Sequence, residues 1–184
     1  MRSRNAWRVG AVGMIAAFGW VSLAAHEFWV TTAQWQAAPG GRITLLANVG
    51  GVFPGADSFT TPDRVASARL VGAGTDAAVP PPYRREKDSL AADVTAPRAP
   101  GTYVGVFEIK PRVGEKSGDV FAEHLKHQGL TEVAADRAAR GETAKGIRER
   151  YSRYGKTLIS VGAGGDRSAA TQPLGLKIEL VPLV

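Results

Sequence analysis

Histidine occurs at three positions in the chain, His26, His124 and His127. The last two are spaced i, i+3, which on a helix puts both imidazoles on one face. Glu123, four residues before His127, shares part of that face. A histidine pair at this spacing beside a carboxylate is a workable N/O donor set for Zn(II), Ni(II), Co(II) or Cu(II). The plainer reading is a solvated helix face, since Lys126 and Gln128 are polar neighbours. His26 directly follows Ser22-Leu23-Ala24-Ala25. Small residues at −1 and −3 favour cleavage after Ala24, whereas a cut after Ala25 would make His26 the first residue. Its α-amino group and imidazole would then chelate one ion together. The candidate metal ligands are therefore His26, His124, His127 and Glu123.

A second group lies in RERYSRYGK, residues 148–156. If this segment is helical, Tyr151 and Tyr154 are neighbours at i, i+3, and Arg148, Arg150 and Arg153 surround them. That combination suits a protein, anion or glycan surface, or else a packed tyrosine pair with a solvated charged face. Acid–base and nucleophile motifs are missing: there is no nucleophile elbow and no His-Glu-x-x-His. The chain has no cysteine, which excludes thiol catalysis, thiolate metal sites and disulfides. Residues 49–55 (VGGVFPG) are glycine-rich without the spacing or lysine of a phosphate loop. The expectation is a binding protein, not an enzyme.

Arg2, Arg4 and Arg8 precede an uncharged stretch, 9–25, that ends in small residues. A basic start, a short apolar run and a small-residue end read as a secretory signal peptide over 1–25. A membrane span needs about 20 strongly apolar residues, and Gly10, Gly13, Gly19 and Ser22 weaken this stretch. The expected location is the periplasm, with a soluble mature chain. Removing the three leader arginines takes 23 basic residues to 20 against 17 acidic ones, leaving +3. That charge gives no argument for nucleic acid, and no aromatic-basic nucleic-acid motif is present.

The mature chain, roughly 160 residues, suits one domain, 26–184, with a real core. Short β-branched and aromatic runs at 27–31, 42–49, 65–71, 89–95, 101–110, 156–161 and 174–181 are punctuated by Gly and Pro. They predict a mainly β protein, an antiparallel immunoglobulin-like β-sandwich. In 101–110, Tyr103, Gly105, Phe107 and Ile109 share one face. Between 118 and 154 the prolines vanish and the spacing turns helical. The expected helical insertion starts at Gly118-Asp119, stops near Gly129, resumes over 131–139 and continues over 142–153.

Several stretches together resemble a family of bacterial periplasmic proteins of unknown function. They are Ala25-His26-Glu27-Phe28-Trp29-Val30 after a leader, Val49-Gly50 with Phe53, residues 121–130, residues 149–158 (ERYSRYGKTL), and residues 175–183 (GLKIELVPL). Members of that family are often associated with nickel and cobalt uptake. The resemblance implies an immunoglobulin-like sandwich with a helical insertion and a periplasmic location. It also implies Ni(II) or Co(II) binding at His26, in connection with a membrane metal transporter, with Cu(II) or Zn(II) also compatible. Longer members continue into a second sandwich domain. The reading from a different class is a non-catalytic envelope module that binds a protein or glycan through Arg148, Arg150, Tyr151, Arg153 and Tyr154.

Overall fold

A computed structural model describes residues 26–183, so the expected signal peptide lies outside the described residues. Two sheets pack face to face. The first contains β1 (Glu27–Thr32), β3 (Arg42–Gly50), β7 (Ser89–Thr95) and β6 (Arg84–Glu86), in the order β1-β3-β7-β6. The second contains β2 (Gln36–Ala37), β9 (Ile147–Val161), β8 (Gly101–Lys116), β4 (Val65–Gly72) and β5 (Thr75–Ala78), in the order β2-β9-β8-β4-β5. All pairings are antiparallel except that of β2 with β9. The expected immunoglobulin-like sandwich is therefore the observed one: a sheet of first, second, fifth and fourth core strands faces a sheet built on the third, sixth and seventh.

Alternation places the core. Ile43, Leu45 and Ala47 of β3 and Leu90 and Ala92 of β7 meet Tyr103, Phe107 and Ile109 of β8 and Ile159 and Val161 of β9, all buried. Each large apolar side chain buried this way contributes about 1.5–3 kcal/mol. Tyr103 anchors the corner before β8, where its hydroxyl donates to Ala99 O at 2.9 Å. A tyrosine bonded back to the chain at this corner is a hallmark of immunoglobulin-like sandwiches. Buried polar groups on β3 are satisfied within its own sheet. Thr44 Oγ1 donates to Asp93 at 2.7 Å, and Asn48 Nδ2 donates to Thr31 Oγ1 at 3.0 Å while its Oδ1 accepts from Ser89 at 2.6 Å.

The helical insertion is shorter than the sequence predicts. It contains α1 (Gly118–His127) and α2 (Thr131–Ala139), with Gly129 at positive φ between them. The expected third helix over 142–153 is instead a turn, 142–146, followed by the first half of β9, paired with β8 from Lys116↔Ile147 to Ile109↔Arg153. Cross-strand charge pairing favours the strand: Lys116 bonds Glu149, and Arg148 lies 3.8 Å from Glu115. The expected strand over 174–181 is likewise not one. Gly175 sits at φ +82, and the Glu179 carboxylate accepts the N–H groups of Leu174 and Gly175 that a ladder would use. The segment folds over the outer face of the second sheet, where Leu176 and Ala169 cover Val104 and Val106.

Candidate functional site

The β1–β3 register pairs Glu27 with Gly50, so His26 sits beside the exit of β3 into the loop that leads to β4. That loop folds back on its own strand: the N–H groups of Asp57 and Ser58 both donate to Val49 O, at 3.0 and 3.1 Å. Gly50 permits the fold-back, because a Cβ there would stand 2.7 Å from Gly55 O and 3.2 Å from Trp29 Cη2. Trp29 braces the loop from the other side. Its indole N–H donates to Pro54 O at 3.4 Å, and its ring meets Phe53 edge-on with centroids 5.7 Å apart.

The fold-back brings Asp57 to His26. Asp57 Oδ1 lies 3.0 Å from His26 Nε2, and Oδ2 accepts the Gly51 N–H at 3.1 Å. Both side chains are about half exposed, at 46% and 55%. A neutral imidazole that donates Nε2–H to this carboxylate keeps its lone pair on Nδ1. Asp57 was not among the residues singled out from the sequence. Its only signal is its place at the end of the turn-rich segment GGVFPGAD, 50–57.

His124, His127 and Glu123 lie on α1, in other surroundings. The His124 ring stacks on Phe121 with centroids 6.2 Å apart, and Phe121 also carries the Arg137 guanidinium 5.0 Å from its ring. Glu123 faces Lys126 at 3.8 Å, and His127 is exposed at the helix end. Among the described residues, no group of three or more His, Cys, Asp or Glu comes together as metal ligands. The four sequence candidates are thus not brought into one cluster: His26 faces Asp57, and the helix residues face aromatic and cationic neighbours.

The arginine–tyrosine set is also divided, because β9 is a strand. Alternation puts Tyr151 and Arg153 on one face and Arg148, Arg150 and Tyr154 on the other. Arg153 lies 5.2 Å above the Tyr151 ring, while Tyr154 packs with Val104 and Val106 on the outer face. Tyr151 and Tyr154 are therefore not neighbours.

The strand order, the tyrosine-anchored corner and the helical insertion between β8 and β9 define an immunoglobulin-like β-sandwich domain with an elaborated sixth-to-seventh strand connection. The chain belongs to the family described as a domain of unknown function (DUF4198), which matches residues 23–184. Comparison with curated proteins and with solved structures gave no match.

Proposed function

We propose that the protein is a non-enzymatic metal-handling accessory of the cell envelope, exported by its leader and binding Ni(II) or Co(II) at His26 for a membrane transporter. The observation that supports this is the His26 Nε2–Asp57 Oδ1 contact of 3.0 Å. A ligating histidine characteristically donates its other ring N–H to a carboxylate, which fixes the ring and raises its basicity. Here that arrangement leaves Nδ1 as the ligating nitrogen. In a chain cut after Ala25, Nδ1 and the new α-amino group lie on either side of the same Cα, placed to close a six-membered chelate. The nitrogen donor pair suits Ni(II), Co(II), Cu(II) and Zn(II), and Cu(II) binds tightest by intrinsic affinity. Selection of nickel or cobalt then rests on which ion is available. His124, His127 and Glu123 are not needed for this chelate.

The test is intact-mass analysis of the protein recovered from the periplasm, followed by Ni(II), Co(II), Cu(II) and Zn(II) titration of the same species. The expected mature chain begins at His26 and binds one equivalent. His26→Ala abolishes binding, Asp57→Asn weakens it about 10–100-fold, and the double substitution of His124 and His127 by Ala leaves it intact. A chain that begins at Ala25, or unchanged binding in His26→Ala, sinks the reading.

The alternative class, an envelope interaction module, draws on the exposed Arg148 and Arg150 on one face of β9. Loss of a captured envelope partner on Arg148→Glu with Arg150→Glu, with metal binding absent in the parent, would favour it.

A further inference from the structure

A cleft of about 250 Å³ opens at the end of the sandwich that carries His26, between the β3–β4 loop and the β8–β9 pair. Three arginines from three separate segments line it: Arg64, Arg112 and Arg153. Ser58 and Thr60 add hydroxyls, Ile109 forms part of the apolar floor, and no acidic residue lines it. We propose that this cleft is a binding site for a small multivalent oxyanion, with carboxylate or phosphate oxygens held by the arginine guanidinium groups. The proposal does not rest on the metal reading.

Each arginine is positioned by a distinct local device. Arg64 ends a one-turn 3-10 helix, Pro62–Arg64, and its Nη2 donates to Lys110 O at 2.8 Å. The same lysine donates from Nζ to Asp63 O at 2.7 Å, so the turn is latched to β8 from both sides. Arg112 follows a bulge in β8: Ile109 pairs with Arg153 and Arg112 with Tyr151, so β8 carries one more residue than β9 across this step. A bulge beside a site characteristically re-aims the next side chain. Arg153 is half-buried and lies over Tyr151. Among the described residues neither Arg112 nor Arg153 is paired with a carboxylate, unlike Arg42, Arg69, Arg84, Arg85 and Arg140. Asp63, adjacent to Arg64 in sequence, does not line the cleft; its carboxyl is held below the usual range chiefly by Thr61, with Lys110 and Arg64 adding to the effect.

Three arginines lining one cleft, with no acidic residue beside them, concentrate positive potential there. An anion is drawn to that potential, and the planar guanidinium fork matches carboxylate and phosphate oxygens two at a time. The volume selects for size. Pockets for drug-sized ligands run from about 300 to 1,000 Å³, so this smaller cleft suits a compact polycarboxylate or a phosphate in preference to a nucleotide. Binding loops of immunoglobulin-like domains gather at the ends of the sandwich, and this cleft lies at such an end.

The test is calorimetric titration of the mature protein in metal-free, low-salt buffer with citrate and, separately, inorganic phosphate, alongside thermal melts with each. One equivalent of at least one anion is expected to bind and to raise the melting temperature. Response to citrate alone identifies a polycarboxylate site, and response to phosphate identifies a phosphate site. Removal of one charge-assisted contact weakens binding about tenfold, which is about 1.4 kcal/mol. Arg112→Gln with Arg153→Gln is therefore expected to lose about 100-fold, while Arg42→Gln with Arg140→Gln, both carboxylate-paired and away from the cleft lining, stays within about twofold of the parent. Arg112 is exposed, so Arg112→Gln alone provides a folded variant even if the pair does not. Failure of both anions to bind, or equal losses in the two double variants, overturns the proposal.

Discussion

Glu179 offers a direct test of how the last segment is held. It lies 2.9 Å from Lys156 Nζ and accepts the Leu174 N–H at 2.9 Å and the Gly175 N–H at 3.1 Å. The pair is well covered, with side-chain exposures of 9% for Glu179 and 17% for Lys156. Hydrogen bonds to a charged group contribute about 1.5–3 kcal/mol each, and breaking a buried pair costs about 3–5 kcal/mol. Because Gly175 is exposed and water replaces part of what is lost, Glu179→Ala is expected to cost about 3 kcal/mol. For a domain of this size that lowers Tm by about 6–12 °C. Glu179→Gln keeps an acceptor oxygen for the backbone N–H groups and loses chiefly the ionic contact, costing about 1 kcal/mol. The pH dependence has a definite sign. Burial alone would raise the Glu179 carboxyl, but the Leu174 N–H, then Lys156 and the Gly175 N–H, outweigh it and hold it below its ordinary value of 4.5. A carboxyl lowered on folding stabilises the fold above its unfolded pKa, and that stabilisation fades as pH falls through the folded value. The gap between parent and Glu179→Ala should therefore be full at pH 7 and shrink below about pH 4.5. Urea unfolding at pH 7, 5, 4 and 3 reads it. A gap under about 1 kcal/mol at pH 7, or one of constant size across the series, refutes the reasoning.

Two further outcomes test the sandwich itself. A Cβ on Gly155 would stand 2.6 Å from Val30 Cγ2 and 2.8 Å from Phe28 Cε1, so Gly155→Val should overpack the contact between the sheets and cost about 1–3 kcal/mol, read as a lower urea midpoint with an unchanged slope. Tyr103→Phe removes the hydroxyl of a fully buried ring from its bond to the carbonyl of exposed Ala99 and should cost about 0.5–1.5 kcal/mol in the same assay while the far-ultraviolet circular dichroism stays that of the parent.

The strands that pack two-sidedly were legible from sequence because burial imposes a period of two on them. Tyr103, Phe107 and Ile109 fall on the core face as their spacing predicts. The short edge strands Gln36–Ala37, Thr75–Ala78 and Arg84–Glu86 were not, since edge strands carry polar residues and bury little. Residues 147–153 misled for a related reason. Their arginines, glutamates and tyrosines satisfy a helical pattern as well as an alternating one, and only pairing with residues 109–116 of β8 decides between them. Residues 174–181 failed in the opposite sense: the run is strand-like, but Glu179 occupies the N–H groups that pairing would need. The candidate site was half legible. His26 stood out by its position after the expected leader, whereas Asp57 and the convergence of Arg64, Arg112 and Arg153 depend on long-range register, which no local spacing encodes.

The two candidate sites share one piece of chain. Asp57 faces His26, Ser58 lines the arginine cleft, and the N–H groups of both donate to the single carbonyl of Val49. A loop pinned at that one oxygen cannot shift Asp57 without shifting Ser58. A cation held at His26 and an anion held between Arg112 and Arg153 would also act on each other through charge, each lowering the cost of the other. Any such coupling is reciprocal by thermodynamic necessity. Metal affinity of the Arg112→Gln, Arg153→Gln variant therefore reports on the loop as well as on the charge: a change that survives 0.5 M salt, where the Debye length falls to about 4 Å, is carried by the Val49-pinned backbone, and one that vanishes there is carried by the field of the arginines.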